Sequence, residues 1–134
     1  MRKTEDKRDF EIRRRGKAGE EYVCEYLEAH GCTVAARNYS SRYGEIDVIA
    51  ENEVRIMFVE VKTRTQRSMV GGFESITSTK LKRFTRTVAD YLSKHSTDKQ
   101  PRIDCAQVIV DERTNRLLSI EYIKNAVEQA AGYL

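Results

Sequence analysis

The stretch Gly44–Arg64, GEIDVIAENEVRIMFVEVKTR, constrains this chain more than any other. Two runs rich in Ile, Val and Phe are separated by Glu51-Asn52-Glu53, which predicts a β-hairpin with strands over 44–50 and 54–64. Such strands should build a core, yet they carry Glu45, Asp47, Glu60 and Lys62. Burying an unpaired charge costs on the order of several kcal/mol. These residues therefore either face water or share a site that uses their charge.

Side chains alternate faces along a strand. Ile56, Phe58, Glu60, Lys62 and Arg64 share one face of the second strand, and Met57, Val59, Val61 and Thr63 the other, with Met57, Val59 and Val61 expected in the core. Glu60 and Lys62 then point the same way, about 7 Å apart at their α-carbons. In an antiparallel hairpin Asp47 falls near Glu60 if the register puts both on one face. Two carboxylates and an ammonium would converge at one end. An exposed hairpin with an ordinary Glu60–Lys62 ion pair, worth a few tenths of a kcal/mol, also accounts for the charges at this point.

The 134 residues suit one domain with one core. Residues 1–15 read as a charged N-terminal arm, solvated and partly disordered or reaching for phosphate, and residues 16–134 as a single domain. Net charge is only +3, so global charge does not announce a nucleic-acid binder. The three cysteines, Cys24, Cys32 and Cys105, fit no zinc spacing and read as reduced thiols in a cytoplasmic protein. No run is apolar enough for a signal peptide or a membrane span. His30 and His95 stand alone at predicted helix ends, as capping or surface residues.

The remaining pattern predicts a helix over 17–30 closed by Gly31, a short strand over 32–38, a turn over 40–44 and a polar loop over 65–73. It continues with a helix over 77–94, a strand over 102–111 apolar on both sides, a strand over 116–123 and a short helix over 125–131. This is an α/β layered domain with a mixed sheet flanked by helices. On the second helix Lys82, Arg83 and Arg86 form a basic ridge, read either as a solvated face or as a phosphate contact. On the first helix Glu21, Glu25 and Glu28 lie opposite the apolar stripe, whereas Glu20 lies among Val23, Cys24 and Leu27. A favourable helix dipole explains an acid near a helix start but not one on the apolar face; a further member of a metal site explains both. Oxygen ligands at this density suit Mg²⁺ or Mn²⁺. A lysine beside such an ion completes a phosphodiester-hydrolysing arrangement.

Asp47 followed by Glu60-Val61-Lys62 resembles the D…ExK core of the PD-(D/E)XK nuclease superfamily. More narrowly, GKAGEEYVCEYLEAHG, RNYSSRYGEIDVIA, FVEVKTR and RIDCAQVIV look like the YraN-like bacterial family, a resemblance that runs from about Gly16 to the C-terminus. It implies a restriction-endonuclease-like core, a mixed β-sheet with helices on both faces, and a Mg²⁺-dependent chemistry. Carried over by residue, Asp47, Glu60 and the Val61 carbonyl would ligate the metal and Lys62 would act on the attacking water. Glu20 matches the first-helix acid of Holliday-junction resolvases in this superfamily. Ile46 stands where the proline of the superfamily's name would be.

The expected function is a metal-dependent DNA endonuclease, with branched or structured DNA as a candidate substrate and Arg64, Lys80, Lys82, Arg83, Arg86 and the basic arm on phosphates. The alternative is a nuclease-like nucleic-acid-binding module with weak or no cleavage, acting in DNA repair or chromosome maintenance. A plain structural or protein-interaction domain would leave the inward Glu20 to chance. By analogy with junction resolvases, which cut two strands, a homodimer is expected.

Overall fold

The computed structural model describes residues 6–69 and 78–127. Its elements run α1 (Asp6–Ala29), β1 (Thr33–Ser41), β2 (Gly44–Glu51), β3 (Arg55–Thr65), a 3₁₀ turn (Gln66–Met69), α2 (Ser78–Lys94), β4 (Gln100–Val110) and β5 (Leu117–Ile123). The five strands lie in sequence order in one sheet. All neighbours are antiparallel except β3 and β4, which pair in parallel from Arg55–Gln100 to Thr65–Val110 across the connection that contains α2. The sheet is therefore mixed, as the sequence predicts.

Each helix seals one face of the sheet. Val23, Cys24 and Leu27 of α1 pack with Val48, Ala50, Met57, Val59, Ala106, Val108 and Val110. Phe84, Val88 and Tyr91 of α2 pack with Ile46, Ile49, Ile56 and Phe58. Burial on both faces explains why β4 is buried from Asp104 through Val110. Its one fully buried charge, Asp104, accepts two bonds from the Arg102 guanidinium at 2.8 and 2.9 Å, one from the Tyr122 hydroxyl at 2.6 Å and one from the Asn125 N–H at 2.9 Å. That cluster ties β4 to β5 and to the chain beyond it.

Several boundaries differ from the sequence reading. Helix α1 starts at Asp6, not at Lys17. Residues 6–15, expected as part of an arm, lack an apolar stripe to announce a helix, and Phe10 and Ile12 there are exposed. Their turns are anchored through Arg15, which donates to Asn115 Oδ1 and to the Glu112 carbonyl, both at 3.2 Å. Strand β1 runs on to Ser41, so the predicted turn over 40–44 narrows to two residues. Residues 1–5 of the expected arm, 70–73 of the expected loop, Thr77, and 128–131 of the expected last helix lie outside the described residues. Both histidines cap as expected: His30 and His95 each place Nδ1 against a carbonyl one turn back, at 2.7 and 3.1 Å. All three cysteines are free.

Candidate active site

Strands β2 and β3 part at Asp47. Their ladder runs from Glu51–Ile56 to Val48–Val59, so Asp47 and Glu60 stand just beyond its last pair. The Asp47 carboxylate fills the gap and accepts the Val61 N–H at 2.8 Å, a bond that a β2 carbonyl would otherwise make. The period of two also breaks here. Ile46 and Ile49 both belong to the α2-side core, whereas Val48 belongs to the α1-side core. Local distortions of this kind re-aim a side chain out of the regular alternation.

Around Asp47 the predicted residues divide by face. Glu60 and Lys62 continue the Ile56–Phe58 row on the α2 side. Both are half-buried, and Glu60 meets Lys80 of the first turn of α2 at 3.9 Å. Glu20 comes from α1 on the other side. It lines a cleft of about 470 Å³ with Val61, Thr63 and Arg64. Gly19 makes this approach possible: an added β-carbon would overlap Thr63 Oγ1 and lie 3.0 Å from two of that residue's carbons. Asp47 and Glu60 thus lie on neighbouring strands just past the end of their ladder, with Lys62 two residues on from Glu60, while Glu20 lines a cleft on the α1 side.

The electrostatics follow this layout. Burial above all pushes the Asp47 carboxyl up to about 6; the Val61 N–H opposes the rise, and the charges of Glu20, Glu60 and Glu45 add to it. Glu20 is raised too, mainly by burial, against the hydrogen-bonding pull of Asn38 and the charge of Arg37. Cys105, beside Glu60 in the parallel ladder, is pushed up to about 11 by burial and then by Glu60. Glu45 is exposed and accepts from Ser40 Oγ at 3.2 Å.

Among the described residues no three Asp, Glu, His or Cys side chains converge as a ready-made metal cage. Asp47 and Glu60 still offer hard oxygen donors, and the Val61 carbonyl leaves extended backbone on the same side as its N–H. One or two carboxylates completed by water and phosphate oxygens is the usual donor set of Mg²⁺, so these residues fit such an ion while leaving most of its shell to others.

Of the predicted basic residues, Lys80, Lys82, Arg83 and Arg86 are exposed along α2, with the Arg86 guanidinium 6.0 Å from the Tyr43 ring centre. Arg64 is half-buried, its Nη1 3.4 Å from the Thr63 carbonyl. Sequence reasoning passed over Asn38, whose backbone is left-handed with φ 53° in the middle of β1. The asparagine itself was the available signal, since Asn tolerates that conformation better than most residues. Among the described residues no helix is long and apolar enough to cross a membrane.

Comparison with known proteins agrees with the resemblance drawn from the motifs. The family described as "Uncharacterised protein family UPF0102" matches residues 19–108. A UPF0102 protein of Dichelobacter nodosus is 40% identical over 116 residues, covering 86% of this chain and 90% of its own length. One from Neisseria meningitidis is 40% identical over 96 residues, covering 71% and 84%. One from Nitrosomonas europaea is 34% identical over 116 residues, covering 87% and 95%. Among solved structures, an XisH family protein from Nostoc punctiforme is similar at a TM-score of 0.34 and 14% identity, covering 79% of this chain and 98% of that one. The chain belongs to the UPF0102 family, the YraN-like group of the PD-(D/E)XK superfamily.

Proposed function

We propose that this chain is a metal-dependent endonuclease-like protein that hydrolyses phosphodiester bonds in DNA, with branched or otherwise structured DNA as the substrate to test first. The observation that carries this reading is the Asp47 carboxylate held in the gap between two parting strands by the Val61 N–H, with Glu60 next to the gap on the neighbouring strand. Regular pairing there would have given the core another ladder bond. The chain instead spends the position on an acid whose burial and neighbours oppose its charge.

Asp47, Glu60 and the Val61 carbonyl would hold Mg²⁺ or Mn²⁺. When bound, the ion supplies Lewis-acid stabilisation of the phosphate and a lowered pKa for the attacking water. Lys62 positions that water and offers its ammonium to charge growing on the phosphate oxygens. The Val61 N–H keeps Asp47 aimed into the gap. Glu20 adds negative charge from the α1 side. Arg64, Lys80, Lys82, Arg83 and Arg86 contact phosphates, which fixes the position of the duplex without reading its sequence. Two cuts in a junction ask for two sites, which a symmetric homodimer supplies.

The test is a panel of linear, flapped and four-way DNA incubated with the purified chain and Mn²⁺. Cleavage lost in Asp47→Asn and Lys62→Ala is the expected result. If no substrate in the panel is cut in a manner sensitive to these changes, the hydrolytic reading falls. Binding without cleavage favours a nucleic-acid-binding module acting in DNA repair or chromosome maintenance, a second reading that draws support from the lack of a three-ligand cage among the described residues.

A further inference from the structure

Gly16 lies inside α1, where a glycine lowers helix stability relative to alanine. Gly19, one turn on, has a packing reason, because Thr63 leaves no room for a β-carbon. Gly16 has none. A β-carbon added there meets nothing within 4 Å, and the positive-φ glycines are Gly31 and Gly44. What Gly16 does border is the cleft of about 470 Å³. Ile12, Gly16 and Glu20 form its α1 side at helical spacing, and Val61, Thr63 and Thr65 its β3 side at strand spacing. A side chain at Gly16 would enter that open space. Arg15 and Arg64 border the same cleft against the single acid Glu20, so its lining is formally cationic. Arg15 is fixed in place: Nε donates to Asn115 Oδ1 and Nη2 to the Glu112 carbonyl, both at 3.2 Å, which uses only part of its donor set. Ile12, 54% exposed, supplies an apolar wall. Val61 connects the cleft to the candidate site, since its N–H holds Asp47.

We propose that this cleft is a subsite for one unpaired nucleotide of a DNA strand, with Arg15 and Arg64 on its phosphate and Ile12 against its base. Guanidinium groups match phosphate oxygens, and an apolar side chain is a surface on which an extruded base can lie. The volume is that of a small-molecule site. One helix and one strand as walls admit a single nucleotide but not a base pair. The inference rests on the proposed function for DNA as the ligand, and it gives the preference for structured DNA a physical reason. Flaps and junctions present unpaired nucleotides; blunt duplex does not.

The experiment is done in EDTA, so that cleavage plays no part. A labelled hairpin with a single-stranded flap and the same hairpin with a blunt end are titrated with the purified chain and followed by fluorescence anisotropy. The unaltered chain is expected to bind the flapped hairpin about tenfold more tightly. Gly16→Leu fills the cleft and brings that ratio to about one, while its melting temperature stays at or above that of the parent because leucine is the better helix former. Gly16→Ala leaves most of the cleft open and keeps most of the preference. Arg64→Gln, which retains the bulk of the side chain without its charge, lowers the ratio about threefold. Equal binding of the two hairpins by the unaltered chain overturns the inference, as does an unchanged ratio in either folded variant, Gly16→Leu or Arg64→Gln. A free nucleotide is the other source of the same chemistry: dTMP that binds more tightly than the flapped hairpin would overturn the assignment to a DNA strand. A chain that cuts no DNA yet keeps a Gly16-sensitive flap preference removes hydrolysis and leaves the subsite standing. Asp47-dependent cutting without that preference does the reverse.

Discussion

The Val61 N–H donates to the carboxylate of Asp47, 14 residues earlier in the chain, at 2.8 Å, and this one bond marks where two paired strands stop being a ladder. The same bond holds an acid beside the strand that carries Glu60 and Lys62 and supplies the unpaired Val61 donor with a partner. Core and candidate site meet at that carboxylate, so its protonation bears on stability as well as on chemistry.

The folded state raises Asp47 from 3.8 to about 6, so the native protein holds this proton more tightly than the unfolded chain does. The associated stability is present below about pH 4 and is lost as the pH rises through 6. Asp47→Asn, which cannot ionise, should therefore stabilise the metal-free protein at pH 8 by up to about 3 kcal/mol and change it little at pH 4. Urea unfolding at both pH values checks this. A variant less stable than the parent at pH 8 would contradict it.

Mn²⁺ should raise the melting temperature of the unaltered chain and leave that of Asp47→Asn nearly unchanged. A ligand at a hundred times its Kd adds about 2.7 kcal/mol when it binds only the folded state. Differential scanning fluorimetry with and without millimolar Mn²⁺, followed by EDTA to reverse the shift, is sufficient.

Gly19→Ala ought to improve α1 by about 1 kcal/mol on helix propensity alone. Contact with Thr63 reverses the sign, and a net loss of about 1–3 kcal/mol is expected from overpacking. Thr63→Ala removes the obstructing atoms and should restore most of the loss in the double variant. Equal losses in the presence and absence of the Thr63 side chain would show that the contact is not the cause.

Asp104→Ala leaves the half-buried Arg102 guanidinium without its carboxylate and should cost about 3–5 kcal/mol, read by chemical denaturation. Tyr122→Phe removes one neutral donor to a charged acceptor and should cost about 1.5–3 kcal/mol. Neither change touches Asp47 or Glu60, so Mn²⁺ binding at temperatures where the variants stay folded should be retained.

Lys82→Ala and Arg83→Ala together should weaken DNA binding similarly for different sequences. If each contributes one phosphate contact, the slope of log affinity against log salt falls by about 2. Fluorescence anisotropy across a salt series measures it, and an unchanged slope would remove these residues from the interface.

The hairpin was legible because two β-rich runs and a short turn announce it, and alternation gave Glu60 and Lys62 a common face; the face of Asp47 was not, since alternation breaks there. The place of Glu20 on the apolar side of its helix was legible from helical periodicity. The N-terminal turns of α1 were not, since residues 6–15 bury little and are held by contacts with Glu112 and Asn115, far away in sequence. Nor was the division of the acids between two faces. That depends on where β2 and β3 part, which pairing rules place no nearer than the end of a ladder. The left-handed backbone at Asn38, where the in–out alternation of β1 slips between Arg37 and Asn38, is the conformation of a single residue, which a pattern read over a short strand does not locate.

The pairing of β3 has a consequence for the order in which the molecule assembles. Asp47 and Val61 lie within one hairpin, so their bond closes a short loop. Glu60 joins Cys105 only through a parallel ladder that spans 45 residues and encloses α2. Short loops close early and distant parallel strands late. The acid–amide contact can thus precede the strand that makes its platform rigid, and a nascent chain reaches that point before β4 has been synthesised.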